Sequence, residues 1–322
     1  MNKKTILLKN TSPAIPCVEF WQPYFEQFFN IERMSIDKNF YDYDPKKYVF
    51  WASSLENAVE WVEQVLDAGF SLIMDYLWDH FGYNHSADNI LILRSNNFIF
   101  ANEVLNYNFQ DYQSLNFESN PNKFLLCLMH QQRAHRDQIY TQVQKYSATS
   151  YISYLSKGIS IPGDVINLTE NDAVNGSPVW QRYVNTLWYN KTNLSLVVET
   201  GVRDSRFYSE KILKPLAFKH PFITWAPFNI LDRIKLLGFE TYGNIIDESY
   251  NLEQDDTKRL AMICKELERL YKEFNKDNRL FTDALTLEKI QHNYNLFYNK
   301  NLIDSIIEKE IIEPVREFVY GQ

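Results

Sequence analysis

Apolar positions in the first hundred residues switch between two periods. After Ser54, which can cap a helix, Leu55, Val59, Val62 and Leu66 form one face and predict a helix to about Ala68. Gly69 supplies the stop, and Phe70-Ser71-Leu72-Ile73-Met74 reads as a short, mostly apolar strand. A polar loop with Trp78, Asp79, His80, Gly82 and His85 leads to a second strand, Asn89–Leu93. Helix, strand and loop alternating in this way predict a parallel sheet.

The stretch Gln110–Asn122 is polar and turn-rich, carries Pro121, and marks the expected domain boundary. Phe124–Met129 then reads as the first buried strand of a second α/β unit, feeding a helix around Arg136–Tyr146. Ser177-Pro178 opens a helix expected to reach about Tyr189, ahead of the strand Leu194–Val198. A helix from Ser209, a strand Pro221–Trp225 and a short helix Ile230–Leu237 stopped by Gly238 follow. Beyond Gln254, Leu260, Ile263, Leu267, Leu270 and Phe274 keep helical spacing, and a last helical stretch, Leu302–Val319, is expected to kink at Pro314.

The pattern predicts an α/β fold of two Rossmann-like domains facing a cleft, with a helical C-terminal region. The expected divisions are a first domain over 1–118, a second over 119–290, and bracing helices over 291–322.

With 322 residues the chain has room for two domains, and 45% hydrophobic against 23% charged residues excludes a disordered chain. A net charge of −8 leaves no bulk basic footprint for nucleic acid, only room for a local patch. Three distant cysteines, Cys17, Cys127 and Cys264, make no disulfide framework and favour a reducing compartment. No apolar run approaches the roughly 18 residues of a membrane span, and the opening MNKKTILLKN is too short in apolar residues for a signal peptide, so a cytoplasmic location is expected.

Candidate chemistry concentrates in Leu194–Pro227. A buried strand ends at Glu199, a loop rich in Arg and Asp follows, and Ser209 opens a helix that starts Glu210-Lys211. In an open α/β sheet, ligands bind beyond the carboxyl ends of the strands. A helix amino terminus there presents unpaired N–H groups and partial positive charge, both suited to phosphate. Lys211 adds a full charge and Glu210 a carboxylate for ribose hydroxyls, which together describe a diphosphate-and-sugar site without a glycine-rich loop. The plainer readings are a favourable acid and a solvated neighbour in a first helical turn, with Arg203 and Arg206 serving surface carboxylates.

This arrangement resembles the donor-binding motif of fucosyltransferase-like GT-B glycosyltransferases, which carry Phe-Glu-Asn-Ser, then Asp-Tyr, then Thr-Glu-Lys. Here the corresponding residues are Val198-Glu199-Thr200-Gly201, Arg206-Phe207-Tyr208 and Ser209-Glu210-Lys211. The loop is one residue longer and the Asn-Ser and Asp are replaced, so the identity of the sugar does not carry over. Leu236–Asn251 looks like the segment that follows the motif in phage and bacterial members, where a Gly-Phe pair leads to an Asp-Glu-Ser-Tyr turn. Upstream, His130–Arg136 resembles the start of the same domain, where an Arg reaches the donor pyrophosphate. Arg136 is the nearest match and Arg133 its rival. The resemblance covers about Phe124–Asn251.

The resemblance implies a hexosyl- or pentosyltransferase that takes a nucleoside-diphosphate sugar as co-substrate, inverts in one displacement, and requires neither metal nor cofactor. Arg136 and Lys211 would neutralise the diphosphate, Glu210 orient the ribose and Glu199 line the donor pocket, with Arg206 and Ser209 completing the donor set. The acceptor is open: a glycan, or a modified base if the chain is a phage-type DNA glycosyltransferase working in host cytoplasm. A non-catalytic nucleotide-sugar-binding or scaffold protein is the third alternative. Inversion needs a base for the acceptor hydroxyl. Asp79 is the first choice, Asp75 the second and His80 the third. Asp42-Tyr43-Asp44 lacks the preceding apolar strand that a metal-binding Asp-x-Asp needs, and the histidine pairs His80/His85 and His130/His135 lack companions at ligand spacing.

Overall fold

Parallel pairing relates all the named strands of the computed structural model, which describes residues 3–8, 24–34, 39–53, 58–75, 88–93, 121–162, 185–202 and 209–321. Two compact units result. One holds Met1–Tyr107 and Lys300–Gln322, the other Asn108–Leu168 and Arg182–Asn299.

In the first unit, β1 (Thr5–Leu8), β2 (Asn30–Arg33), β3 (Tyr48–Ser53), β4 (Ser71–Asp75) and β5 (Ile90–Leu93) lie in the order β2-β1-β3-β4-β5. Helix α1 (Ala58–Asp67) precedes Gly69, whose φ of 84° ends it as expected and turns the chain into β4. The core gathers Leu7, Phe50, Val65, Phe70 and Leu72, with the Phe50 and Phe70 rings edge to face at 4.7 Å. Register aligns Ser53, Asp75 and Leu93 along the carboxyl edge. None of β1 to β3 is among the elements read from the sequence: β1 and β2 are four residues each, too short to show a period, while β3, Tyr-Val-Phe-Trp-Ala-Ser, is six residues long and is missed despite its apolar run.

The second unit repeats the winding. Its strands β6 (Lys123–Met129), β7 (Tyr151–Tyr154), β8 (Thr192–Val198) and β9 (Phe222–Trp225) run in the order β7-β6-β8-β9. Strand β8 is buried at every position, as expected for a strand covered on both faces. Helix α2 (Ala134–Val143) follows β6 and tightens into a 3-10 segment, Gln144–Thr149.

Helix α3 (Thr186–Lys191) is a correction. Asn185 is extended and accepts a hydrogen bond from the Leu187 amide at 3.1 Å, so a new helix starts there instead of continuing one from Ser177. Residues 163–184 lie outside the described residues.

Helix α4 (Glu210–Ala217) is capped by Ser209 and carries Pro215 inside it, and α5 (Ile230–Leu236) is stopped by Gly238 at φ 89°. The long α6 (Asp256–Phe274) is capped by Asp255, whose carboxylate accepts from the Lys258 amide at 2.9 Å. It contributes Tyr271 and Phe274 to an aromatic cluster with Phe124 and Tyr146. Helix α7 (Ala284–Phe297), capped by Asp283, was not expected. Its buried face includes Thr286 and Asn293, which break any apolar stripe.

The chain then returns to the first unit. In place of one helix kinked at Pro314, α8 (Lys300–Ile307) widens into a π-helical stretch, Glu308–Ile312, before α9 (Glu313–Tyr320). Pro314 has no N–H to return to the preceding turn, and the helix widens just before it. Tyr320 donates to the Phe28 carbonyl at 2.7 Å and stacks on Phe29, while Lys4 donates to the Val319 carbonyl at 2.6 Å. Among the described residues, no helix is long and apolar enough to cross a membrane.

Candidate functional site

Strand order reverses in the second sheet between β6 and β8, since one connection leads from β6 to β7 on one side and the next to β8 on the other. A crevice opens at the carboxyl end of such a reversal, where loops diverge, and ligands bind there. Two segments border it. One is His130–Arg136, running from β6 into the first turn of α2; the other is Glu199–Val202, leaving β8.

The β8 side is built around one carboxylate. Glu199 is fully buried and accepts hydrogen bonds from the Ser209 amide at 3.0 Å, the Ser209 hydroxyl at 2.6 Å and the Thr200 amide at 3.2 Å. Three donors meet the desolvation cost of a buried carboxylate and pin the first turn of α4 against the strand end. Ser209 Oγ in turn accepts from the Lys211 amide at 3.3 Å and from Lys211 Nζ at 3.0 Å. Lys211 Nζ also donates to Thr200 Oγ1 at 3.2 Å. The ammonium is thereby held over the start of α4 by two hydroxyls, half-buried.

Sequence reasoning places Glu199 as pocket lining; in the structure its carboxylate takes part in shaping the loop. Glu210 is the first residue of α4. Arg206, with Arg203, lies outside the described residues.

On the β6 side, Arg136 is buried to 3% exposure and donates from Nη1 to the Gln131 carbonyl at 2.9 Å, folding the loop before α2 back on itself. Its rival Arg133 is exposed at the N-cap position, where no side chain caps the helix. His135 joins the two sides: its Nε2 lies 2.9 Å from the Glu199 carbonyl oxygen. Burial pushes the imidazole below the ordinary histidine range and the Arg136 and Arg133 charges add to this, against the Glu199 hydrogen bond and Asp256. A neutral ring facing a carbonyl must carry its proton on Nε2.

Sequence reasoning missed Arg259 and Trp225, which support the same edge. Trp225 ends β9, accepts from the Glu199 amide at 3.0 Å and donates from Nε1 to the His135 carbonyl at 3.1 Å. Arg259, 1% exposed, lies over its ring at 5.2 Å. Neither is separable by spacing from ordinary helix and strand residues, so no sequence signal could have found them.

The Asp-Glu-Ser-Tyr turn proves to be scaffolding. Asp247 caps the turn through the Ser249 amide, and Glu248 accepts from Thr241 Oγ1 and the Tyr242 amide, both at 2.7 Å. Tyr250 accepts from the Thr224 amide at 3.4 Å, and Asn251 caps α5 through the Leu231 amide at 2.9 Å.

In the first unit, Asp75 closes β4, while Asp79 and His80 lie outside the described residues. Asp42 and Asp44 accept from the Asn39 and Lys46 amides and stabilise turns. Among the described residues no group of three or more His, Cys, Asp or Glu could hold a metal ion.

No family model and no curated protein matches the chain. Solved structures similar to it include the following three. The first, a crystal structure of alpha1,3-fucosyltransferase with GDP-fucose, is 10% identical with a TM-score of 0.41, covering 93% of this chain and 91% of that one. Another, of alpha1,3-fucosyltransferase, is 11% identical with a TM-score of 0.42, covering 94% and 92%. A third, of alpha1,3-fucosyltransferase with GDP, is 13% identical with a TM-score of 0.41, covering 94% and 93%. At these values nothing about substrate passes to this chain.

Proposed function

We propose that the protein is a glycosyltransferase that binds a nucleoside-diphosphate sugar at the carboxyl edge of the second sheet and moves the sugar to an acceptor hydroxyl. The observation that supports this most is that Arg136 and Lys211 stand in the first turns of two helices, one on each side of the strand-order reversal. Of the residues quoted for the fucosyltransferase-like motif, Glu199, Thr200, Ser209 and Lys211 thus lie beside the position where an open parallel sheet takes ligands.

In this reading the diphosphate lies against the first turns of α2 and α4. Lys211 and Arg136 offset its charge and stabilise the departing nucleoside diphosphate, the task a divalent ion performs elsewhere. Glu199 and Ser209 act by holding Lys211 in place, and Glu210 and Arg206 complete the donor set. Attack by the acceptor hydroxyl in a single displacement inverts the anomeric centre, with Asp79 or Asp75 as the base.

A thermal-shift screen of UDP, GDP, CDP, dTDP and ADP tests the reading, since a ligand that binds the native state raises its apparent stability. Lys211→Ala should then weaken the best diphosphate about tenfold or more by calorimetry, with the fold intact. Unchanged affinity in a folded variant removes the assignment. Transfer or donor hydrolysis that persists unchanged in EDTA supports the metal-independent form, and loss of turnover in EDTA contradicts it.

A further inference from the structure

A buried arginine bonded mostly to loop carbonyls stands at the same edge of the sheet as the proposed site. Arginine is among the side chains least often buried, and its charge is expensive to desolvate unless each donor is met. In Arg259 all five N–H directions are used. Nε donates to the Ala226 carbonyl at 3.1 Å, Nη1 to the Glu253 and Gln254 carbonyls at 2.7 and 3.3 Å, and Nη2 to the Val202 carbonyl at 2.9 Å and Asp256 Oδ1 at 2.5 Å.

The backbone acceptors belong to three segments, the loop leaving β8, the loop leaving β9 and the turn before α6, and Asp256 is the first residue of α6 itself. Through the Trp225 ring beneath it, and the Trp225 Nε1 bond to the His135 carbonyl, the same guanidinium braces the first turn of α2. Every connection lies at the carboxyl edge of the sheet.

We infer that Arg259 is a positioning residue for the donor site, a role that rests on the proposed reading of that edge. Val202 stands two residues beyond Thr200, whose hydroxyl receives Lys211 Nζ. Fixing the Val202 carbonyl therefore fixes the loop on which Lys211 leans. Asp256 balances the guanidinium charge, so the contribution is geometric and not a second phosphate contact. Lysine cannot replace it, because three donors on a flexible stem do not reach three backbone segments. An arginine kept only for core packing would be replaceable by an apolar side chain of similar volume at little cost.

The test compares Arg259→Lys with Ser195→Ala, a change at the opposite edge of the sheet that lowers stability by releasing His220. Both are titrated with the nucleoside diphosphate that most raises the melting temperature of the parent protein. Arg259→Lys should weaken binding about tenfold, Ser195→Ala by less than about twofold, and Arg259→Lys should add less than about twofold in a Lys211→Ala background, because both changes act on one contact. Binding by Arg259→Lys within about twofold of the parent, while Lys211→Ala still weakens it, overturns the positioning role and leaves the donor site standing. Unchanged binding in Lys211→Ala overturns the donor site itself. Should Arg259→Lys fail to fold, Trp225→Phe decides: it keeps the core filled but loses the bond to His135. A loss of about threefold or more is expected, and binding at parental strength overturns the inference.

Discussion

The two edges of the second sheet each hold a histidine, buried at one and half-buried at the other, and they use it differently. At the amino edge, His220 Nδ1 accepts from Ser195 Oγ at 2.7 Å, and Nε2 lies 2.9 Å from the Thr192 carbonyl oxygen. Thr192 Oγ1 donates onward to the Trp188 carbonyl at 2.6 Å. The set closes on itself and joins the start of β8 to the start of β9. At the carboxyl edge, His135, Glu199 and Arg259 bond mostly to backbone groups of loops, and two cationic residues gather beside them. Buried polar groups at one edge lock strands together. At the other they fix the shape of a surface that carries Arg136 and Lys211.

The largest expected effect comes from breaking the shaped edge at its centre. Glu199→Ala leaves the Ser209 amide, the Ser209 hydroxyl and the Thr200 amide without their acceptor, a loss of about 3 kcal/mol or more in stability together with loss of nucleotide binding. Urea unfolding followed by tryptophan fluorescence measures it. A loss below about 1 kcal/mol would mean the loop holds without that carboxylate.

The closed edge should respond to pH instead. Burial lowers the His220 pKa from 6.5 to about 4. Between those values the unfolded chain binds a proton that the folded ring refuses, so stability is complete above about 6.5 and falls as pH drops towards 4. The melting temperature should therefore fall from pH 7 to pH 5, and fall less in His220→Gln. An equal fall in both proteins would assign the pH dependence to other groups.

The smallest effect belongs to Lys157, which pairs with Asp137 at 2.6 Å near the end of β7. Both side chains are about one-third exposed. Lys157→Ala should change the melting temperature barely, and the change should vanish in high salt. A large, salt-resistant loss would move this pair from the surface into the structure that supports the site.

The same contrast explains what the sequence revealed. Strands such as Phe124–Met129 and Leu194–Val198 were legible because both faces are buried and the apolar run is continuous. The cap at Ser209 and the stops at Gly69 and Gly238 were legible because their backbone geometry selects the residue. Strand β2 and helix α7 were not, since one is too short and the other buries Thr286 and Asn293 among its contacts. At the site, the order Glu199, Ser209, Lys211 was readable from placement between strand and helix. The role of Glu199 as a clamp was not, because a carboxylate facing amides looks in sequence like one facing a ligand. Arg259 lies 60 positions after Glu199, a separation that only the folded sheet closes.

Hydrogen–deuterium exchange with and without the best-binding nucleoside diphosphate tests most directly where the donor sits. Slower exchange at 130–137, 199–202 and 209–213, with 192–195 and 220 unchanged, is the predicted result. Protection confined to other segments, with those loops exchanging as before, would contradict the assignment of the site to the carboxyl edge of the second sheet.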